Sequence, residues 1–291
     1  MSRVTETGDE TRGLGKEGRV TPKMNAARVF LTSALISVAS ALTLDLHLLS
    51  SSLYPDAKCN DGTSSGYYAR LSPTGSNVWI VHAEGGGWCY DSSTCKKRSS
   101  DQKSSKNWAA TYSAAGLFDS TDKRFKDANL FYIGYCSSDA YAGNGSTSDF
   151  GFQFNGRAIV KAVFDDLVAT QGLGSGAEPA QVMYGGCSAG ARGALFNADA
   201  VHAQLSALLG AKLGRFGALL DSAFYVDIEP YDASLPSLMY ITQSAVALAG
   251  MADGAMPDCA KAYPGAEIWK CLQVRRKAGP QISLVPPSSN H

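Results

Sequence analysis

Four short apolar runs recur along the chain, and amphipathic stretches separate them. A continuous apolar run, unlike an alternating one, is typical of a strand that is buried on both faces of a sheet. Between two of the runs, residues 158–168 place Ile159, Val163 and Leu167 on one helical face. This pattern predicts an α/β fold with a mostly parallel central sheet and helices on both faces. The runs are VWIVHA (78–83), LFYIGY (130–135), QVMYGG (181–186) and FGALLD (216–221).

A G-x-S-x-G motif follows the third run, where ligands of such sheets bind beyond the carboxyl ends of the strands. Gly186-Cys187-Ser188-Ala189-Gly190 lies between this predicted strand and a predicted small-residue helix. A nucleophile elbow requires this strand–turn–helix context. The helix N-terminus behind Ser188 favours the negative charge of a tetrahedral intermediate. We therefore predict that Ser188 is a nucleophile; a small-residue turn ahead of a tightly packed helix is the alternative.

A triple glycine, residues 85–87, follows the first run. Backbone N–H groups in such a loop can point into a site without interference from side chains. In hydrolases with a nucleophile elbow, one oxyanion donor comes from a loop of this kind and another from the residue after the nucleophile, here Ala189. The two motifs together favour an oxyanion hole over a plain flexible turn.

The composition excludes several classes of protein. The 291 residues are 45% apolar and 18% charged, which excludes a wholly disordered chain and a coiled coil. The 26 basic and 26 acidic residues balance, so we expect no nucleic-acid partner. Since no stretch has twenty clean apolar residues, a multi-pass membrane protein is also excluded.

The first 41 residues combine a polar extension with a segment that has the pattern of a targeting signal. Residues 1–23 are polar and charged, and we interpret them as a disordered extension. Residues 24–41 combine a basic start, an apolar stretch and an Ala-Ser-Ala site, which predicts a secretory signal peptide. A signal anchor is the alternative, and it would be the chain's one membrane contact. Export suits the seven cysteines, and no cysteine or histidine spacing suggests a metal site.

Six stretches resemble the pectin acetylesterase / Notum family, over about residues 55–272. The resemblance implies a secreted α/β-hydrolase that removes acyl groups, either acetyl from pectin or a fatty acyl group from a secreted protein. It assigns Ser188 as the nucleophile and Gly86, Gly87 and Ala189 as oxyanion donors. The stretches are KCNDGTSSGYYAR (58–70), VWIVHAEGGGWCYDSSTC (78–95), YCSSDAYAG (135–143), FNGRAIVKAVFDDL (154–167), GGCSAGARGALF (185–196) and LLDSAFYVD (219–227).

The resemblance also implies three disulfides and leaves Cys187 free. The implied pairs are Cys59–Cys136, Cys89–Cys95 and Cys259–Cys271. The short separation of Cys89 and Cys95 favours that pair from the residues as well. Cys187 is a poor alternative nucleophile, because its side chain beside the elbow is expected to point toward the sheet.

The acid and the base of a triad are missing from the matched region. A serine nucleophile needs both, and in this fold they follow the serine in the order Asp or Glu, then His. The family places them beyond the segment matching Trp269-Lys270-Cys271, where this sequence departs. We therefore expect a hydrolase domain over 55–272 without its C-terminal strands, and a divergent, disordered tail over 273–291. A truncated or frame-shifted gene product and an inactive family member are the two explanations.

None of the four histidines is a strong substitute for the missing base. His47 lies near the signal segment, His82 belongs to a predicted strand, and His202 lies far along the helix after Ser188. His291 is the last residue. Asp221 ends the fourth apolar run and is a possible orienting acid.

The sequence thus predicts a secreted, monomeric serine carboxylic-ester hydrolase that needs no cofactor and acts through an acyl-enzyme. Its expected substrate is an acylated, pectin-like polysaccharide or an acylated glycoprotein. Secretion to the extracellular space or cell wall is the expected location, with signal anchoring in the secretory pathway as the alternative. The alternative function is a catalytically inactive module that binds a carbohydrate or glycoprotein.

Overall fold

The computed structural model describes residues 42–273, except 115, 120–122, 227 and 252–255. The predicted extension, signal segment and nearly all of the predicted tail lie outside these residues. The strands are β1 (Thr43–Leu48), β2 (Gly66–Arg70), β3 (Val78–Ala83), β4 (Thr111–Ser113), β5 (Asn129–Ile133), β6 (Ser146–Thr147), β7 (Gln153–Phe154), β8 (Ala180–Cys187) and β9 (Leu213–Asp221). The α-helices are α1 (Ser92–Lys96), α2 (Lys123–Lys126), α3 (Gly156–Ala169), α4 (Ala189–Leu209), α5 (Leu238–Leu248) and α6 (Pro257–Ala262).

Seven strands form one mixed sheet in the order β4-β1-β2-β5-β3-β8-β9. Strands β5, β3, β8 and β9 are parallel to one another, and they are the four predicted apolar runs. Strands β2, β1 and β4 continue the sheet through antiparallel pairings. The α/β class is confirmed, but half of the sheet is antiparallel rather than mostly parallel as expected.

The sheet begins earlier in the chain than the predicted domain start at residue 55. Strand β1 pairs with β2 through His47 and Tyr67, and with β4 through Leu44 and Tyr112. Its sequence, TLDLHL, alternates polar and apolar residues, which is typical of a half-buried strand. The prediction missed β1 because it relied on continuous apolar runs and because β1 directly follows the predicted signal segment; the histidine of β1 belongs to the sheet.

Helices α3 and α4 cover one face of the sheet. Ile159, Val163 and Leu167 of α3 are buried, as the periodicity predicts, and they join one core with Val81 and Tyr184 of the sheet. The opposite face packs against Phe118 and Phe125, which belong to short helical segments. Within the described residues, the expected layer of helices on that second face is reduced to such short segments.

The C-terminal elements form a third cluster of buried residues, together with Cys89 and Cys95. Trp269 and Leu272, from a 3-10 segment over Gly265–Leu272, are buried with Val246 of α5 and Phe196 of α4. The structure contains the disulfides Cys59–Cys136, Cys89–Cys95 and Cys259–Cys271, which are the pairs that the family resemblance implies. Cys187 is unpaired.

A buried carboxylate, Asp139, connects the loop after β5 to the start of α3. It accepts hydrogen bonds from the Tyr141 N–H (2.9 Å), the Gly156 N–H (2.8 Å) and the Ser137 hydroxyl (2.6 Å). Burial raises the pKa of Asp139 to about 6. The loop needs this support because Ser138, Ala140 and Tyr141 all have positive φ angles, which cost free energy in residues other than glycine.

We expect Asp139→Ala to destabilise the protein by about 3–5 kcal/mol, because two buried N–H groups lose their acceptor. Urea unfolding of the full chain measures this change. Asp149→Ala is the matched control, since Asp149 is an exposed aspartate of the same region, and we expect about 0.5 kcal/mol or less for it. Equal stabilities of the two variants would contradict this role of Asp139.

Candidate active site

Ser188 occupies a strained corner between β8 and α4. Its φ and ψ angles are 53° and −118°, which non-glycine residues rarely adopt. The Ser188 N–H donates to the carbonyl oxygen of Asp221 at 3.0 Å, and its carbonyl accepts from the Arg192 N–H at 3.0 Å in the first turn of the helix. The half-buried residue therefore lies at the N-terminus of a 21-residue helix, where the helix dipole favours negative charge.

The two glycines of the motif are required by close backbone packing around this corner. A Cβ atom on Gly190 would lie 2.0 Å from the carbonyl oxygen of Ala83, and one on Gly186 would lie 2.3 Å from the carbonyl carbon of Gly190. Real Cβ atoms essentially never approach backbone this closely. The first turn of α4 therefore lies directly against the ends of β3 and β8, which is possible only without side chains at these two positions.

The triple-glycine loop lies beside Ser188. Strands β3 and β8 are paired up to Ala83 and Gly186, so both loops leave the same edge of the sheet. A Cβ atom on Gly85 would lie 2.8 Å from the carbonyl oxygen of Cys187 and 3.5 Å from the Cβ of Ser188. The glycine loop and the serine corner are therefore in direct contact, as their predicted positions require.

Two side chains hold the carbonyl groups of the glycine loop. A guanidinium nitrogen (Nη1) of Arg98 donates to the carbonyl of Gly86, and the Tyr135 hydroxyl donates to the carbonyl of Gly87 at 2.7 Å. In a trans peptide the next N–H points away from the preceding carbonyl. Because the carbonyl groups of Gly86 and Gly87 are held by Arg98 and Tyr135, the N–H groups of Gly87 and Trp88 point to the side of the loop away from these two side chains.

The predicted oxyanion donors remain available. Among the described residues, no acceptor takes the N–H of Gly86, Gly87 or Ala189. Sequence reasoning missed the supporting residues Arg98 and Tyr135. Arg98 lies in a basic segment that resembles an ordinary solvated loop, and Tyr135 ends a run that is read as a strand.

A half-buried glutamate precedes the glycine loop. Glu84 accepts a hydrogen bond from the Tyr135 N–H at 2.9 Å. Burial, together with the charge of Asp101, raises the pKa of Glu84 from its ordinary 4.5 to about 7, although the hydrogen bond from the Tyr135 N–H and the charge of Arg98 act in the opposite direction. Behind Glu84 lies a cavity of about 170 Å³, lined also by Asp101, Trp108 and Tyr132.

Cys187 is chemically less suited than Ser188 to act as a nucleophile. Burial raises the pKa of its thiol, and the charge and a hydrogen bond of Asp221 raise it further. Because the thiolate is the reactive form, these interactions keep the sulfur unreactive.

The carboxylate of Asp221 does not orient a histidine in the described structure. It is exposed, accepts from the Ser222 hydroxyl at 3.0 Å and hydrogen-bonds with the Cys187 thiol. What brings Asp221 close to Ser188 is its backbone carbonyl, through the hydrogen bond from the Ser188 N–H. Among the described residues Asp221 forms no hydrogen bond with a histidine, although its charge acts on the ring of His82 and partly offsets the lowering of the His82 pKa by burial.

The described histidines are stacked on aromatic rings. His47 stacks on Tyr67, His82 on Tyr132 and His202 on Phe216, with ring centroids 5.2–5.8 Å apart. None of these three forms a hydrogen bond with Ser188 within residues 42–273. His291 lies outside the described residues.

A profile of the pectinacetylesterase family matches residues 37–281. The chain belongs to this family. Palmitoleoyl-protein carboxylesterase notum2 of Xenopus laevis is 31% identical over 239 residues, which cover 79% of this chain and 47% of that protein. Pectin acetylesterase 11 of Arabidopsis thaliana is 32% identical over 198 residues, covering 66% of this chain and 48% of that protein.

A solved structure shows the same fold. A crystal structure of the Wnt deacylase Notum from Drosophila superposes with a TM-score of 0.71 at 27% identity, covering 80% of this chain and 67% of that one. The chain spans just under half the length of the two curated relatives described above. In the described part of the chain, no helix combines the length and the apolar character needed to cross a bilayer.

We expect Glu84→Gln to remove a pH-dependent loss of stability. Since the folded pKa of Glu84 (about 7) exceeds its ordinary value of 4.5, the stability that this carboxyl contributes is present below pH 4.5 and is lost as the pH rises through 7. The amide keeps an acceptor for the Tyr135 N–H. Relative to wild type, the variant should therefore gain up to about 3 kcal/mol between pH 4.5 and pH 8.

Urea unfolding of both proteins at several pH values measures this difference. Glu178→Gln serves as the control, because Glu178 is exposed and lies far from the glycine loop. A difference between Glu84→Gln and wild type that does not change with pH would contradict the raised pKa.

Proposed function

We propose that the chain is a serine carboxylic-ester hydrolase in which Ser188 is the nucleophile. The observation that carries this proposal is the contact between the Ser188 corner and the glycine loop, where a Cβ on Gly85 would lie 3.5 Å from the Cβ of Ser188. The strained backbone of Ser188 supports it, because strain of this kind is typical of nucleophile elbows.

In the proposed reaction, the Ser188 hydroxyl attacks the ester carbonyl carbon and loses its proton to a base. The N–H groups of Gly86, Gly87 and Ala189 stabilise the negative charge on the carbonyl oxygen. The base returns this proton to the oxygen of the departing alcohol, and an acyl-serine remains. Water then attacks the acyl carbon, giving a proton to the base, and the base passes this proton to the serine oxygen as the acid is released and the hydroxyl is restored.

The proposed substrate is an acylated polysaccharide or an acylated glycoprotein outside the cell. The relatives are named for two such ester classes, palmitoleoylated proteins and pectin acetyl esters. Secretion is supported by the signal-like pattern over residues 24–41 and by the three disulfides, which persist in oxidising compartments.

One observation favours a second candidate, a binding module without hydrolytic activity. Each described histidine packs on an aromatic ring, and none reaches Ser188 within the described residues. Such a module would keep the pocket but would not activate the serine hydroxyl.

We expect a fluorophosphonate probe to label the full chain at Ser188, because this reagent reacts with activated serine hydroxyls. Ser188→Ala should abolish labelling and should lower the hydrolysis of 4-nitrophenyl acetate by at least about 10³-fold. Labelling is read by mass spectrometry of the tryptic peptide, and hydrolysis by absorbance.

Ser206→Ala is the matched control, since Ser206 is exposed near the far end of the same helix. The probe should label this variant as it labels wild type, and the variant should hydrolyse 4-nitrophenyl acetate at the wild-type rate. If the folded wild-type chain is not labelled and its hydrolysis equals that of Ser188→Ala, the hydrolase proposal fails and the binding module is supported.

A further inference from the structure

Arg192 lies one helical turn after Ser188. Its N–H donates to the Ser188 carbonyl at 3.0 Å, so both residues are on the same side of α4. Side chains on a helix lean toward its N-terminus, and the long side chain of Arg192 therefore extends back over the turn that contains Ser188.

Two aromatic rings enclose the guanidinium group of Arg192. Its central carbon lies 3.9 Å from the ring centroid of Trp88 and 3.6 Å from that of Tyr225. Trp88 directly follows the glycine loop, and Tyr225 belongs to the segment after β9. Arg192 is 4% exposed. The group is thus fixed between two elements that border the Ser188 corner.

The hydrogen-bonding edge of this guanidinium is unused. Its Nε and Nη2 atoms are buried and have no hydrogen-bond partner among the described residues, and the same is true of the Tyr225 hydroxyl. No salt bridge joins Arg192 to an acidic residue in the described part of the chain. Burial lowers the pKa of Arg192 to about 10, so the group is still a cation at neutral pH.

A buried, unpaired cation is costly to a folded protein, and buried donors normally have an acceptor. Because two rings pack this closely against the guanidinium, the part of it that is left to meet an added ligand is the edge formed by the unpartnered Nε and Nη2 atoms. Nε and Nη2 are adjacent on one edge, and this pair matches the two oxygens of a planar carboxylate through parallel hydrogen bonds.

We propose that Arg192 is a specificity-determining residue that binds a carboxylate of the ester substrate through its Nε and Nη2 atoms. The inference rests on the proposed hydrolase function and names its substrate class, which is an ester that also carries a free carboxylate. The carboxylate belongs either to the acyl part, as in a half-ester of a dicarboxylic acid, or to the alcohol part, as in an acylated uronic acid.

The test uses two matched pairs of esters on the full chain. The acyl-side pair is 4-nitrophenyl hydrogen adipate and its methyl ester, and the alcohol-side pair is O-acetylated galacturonic acid and its methyl ester. In one of the pairs, wild type should show a kcat/KM that is about 10- to 100-fold higher for the free acid. The pair that shows this preference identifies the part of the substrate that carries the carboxylate.

Arg192→Met should remove the preference for the free acid, and Arg192→Lys should retain only part of it, because lysine keeps the charge but not the paired donors. Arg215→Met is the matched control. Arg215 is an exposed arginine at the opposite end of β9 from Asp221, so its loss should leave the preference intact. If Arg192 only packed between the rings, its replacement would change kcat/KM for the free acid and for the methyl ester by the same factor.

A binding measurement separates this inference from the proposed function. In the Ser188→Ala background, calorimetry with galacturonate and adipate, each against its methyl ester, should show tighter binding of one free acid. Arg192→Met should weaken that binding by about 10- to 100-fold. If selective binding persists while Ser188 proves inert, the hydrolase proposal fails and the carboxylate site stands.

Two results would overturn the inference. One is equal kcat/KM and equal binding of acid and methyl ester in both pairs by wild type. The other is an acid preference that Arg192→Met leaves unchanged while thermal unfolding shows that the variant is folded.

Discussion

The close approach of Gly190 to the carbonyl of Ala83 is the contact on which the rest of the site depends. It lets α4 begin directly at the ends of β3 and β8, without a longer connecting loop. Ser188 is thereby forced into a left-handed corner, and the glycine loop passes beside it. A single methyl group at position 190 would separate the helix from the strand and would open this arrangement.

Three ionisable groups near the glycine loop are wholly or partly buried, and each has a distinct environment. Asp139 has three hydrogen-bond donors, Glu84 has one backbone donor, and Arg192 has aromatic rings in place of an acceptor. Satisfied buried charges make a structure rigid, whereas unsatisfied ones are typical of sites that act on a ligand. This difference distinguishes Asp139, which supports the loop after β5, from Arg192.

The sequence predicts the parts of the fold that depend on local pattern. Continuous apolar runs identify the four parallel strands, and the spacing of Ile159, Val163 and Leu167 identifies the buried face of α3. Strand β1 has the alternating pattern of a half-buried strand, but it was missed because the prediction relied on continuous apolar runs. The support of the glycine loop by Arg98 and the enclosure of Arg192 could not be predicted from local pattern, since both are tertiary contacts.

Two disulfides adjoin the residues around the glycine loop. Cys136, which follows Tyr135, is joined to Cys59, and Cys89, which follows Trp88, is joined to Cys95. Both bonds add covalent restraints to segments that adjoin the glycine loop. A chain kept in a reducing compartment would lack these two restraints and would hold the loop through non-covalent contacts alone.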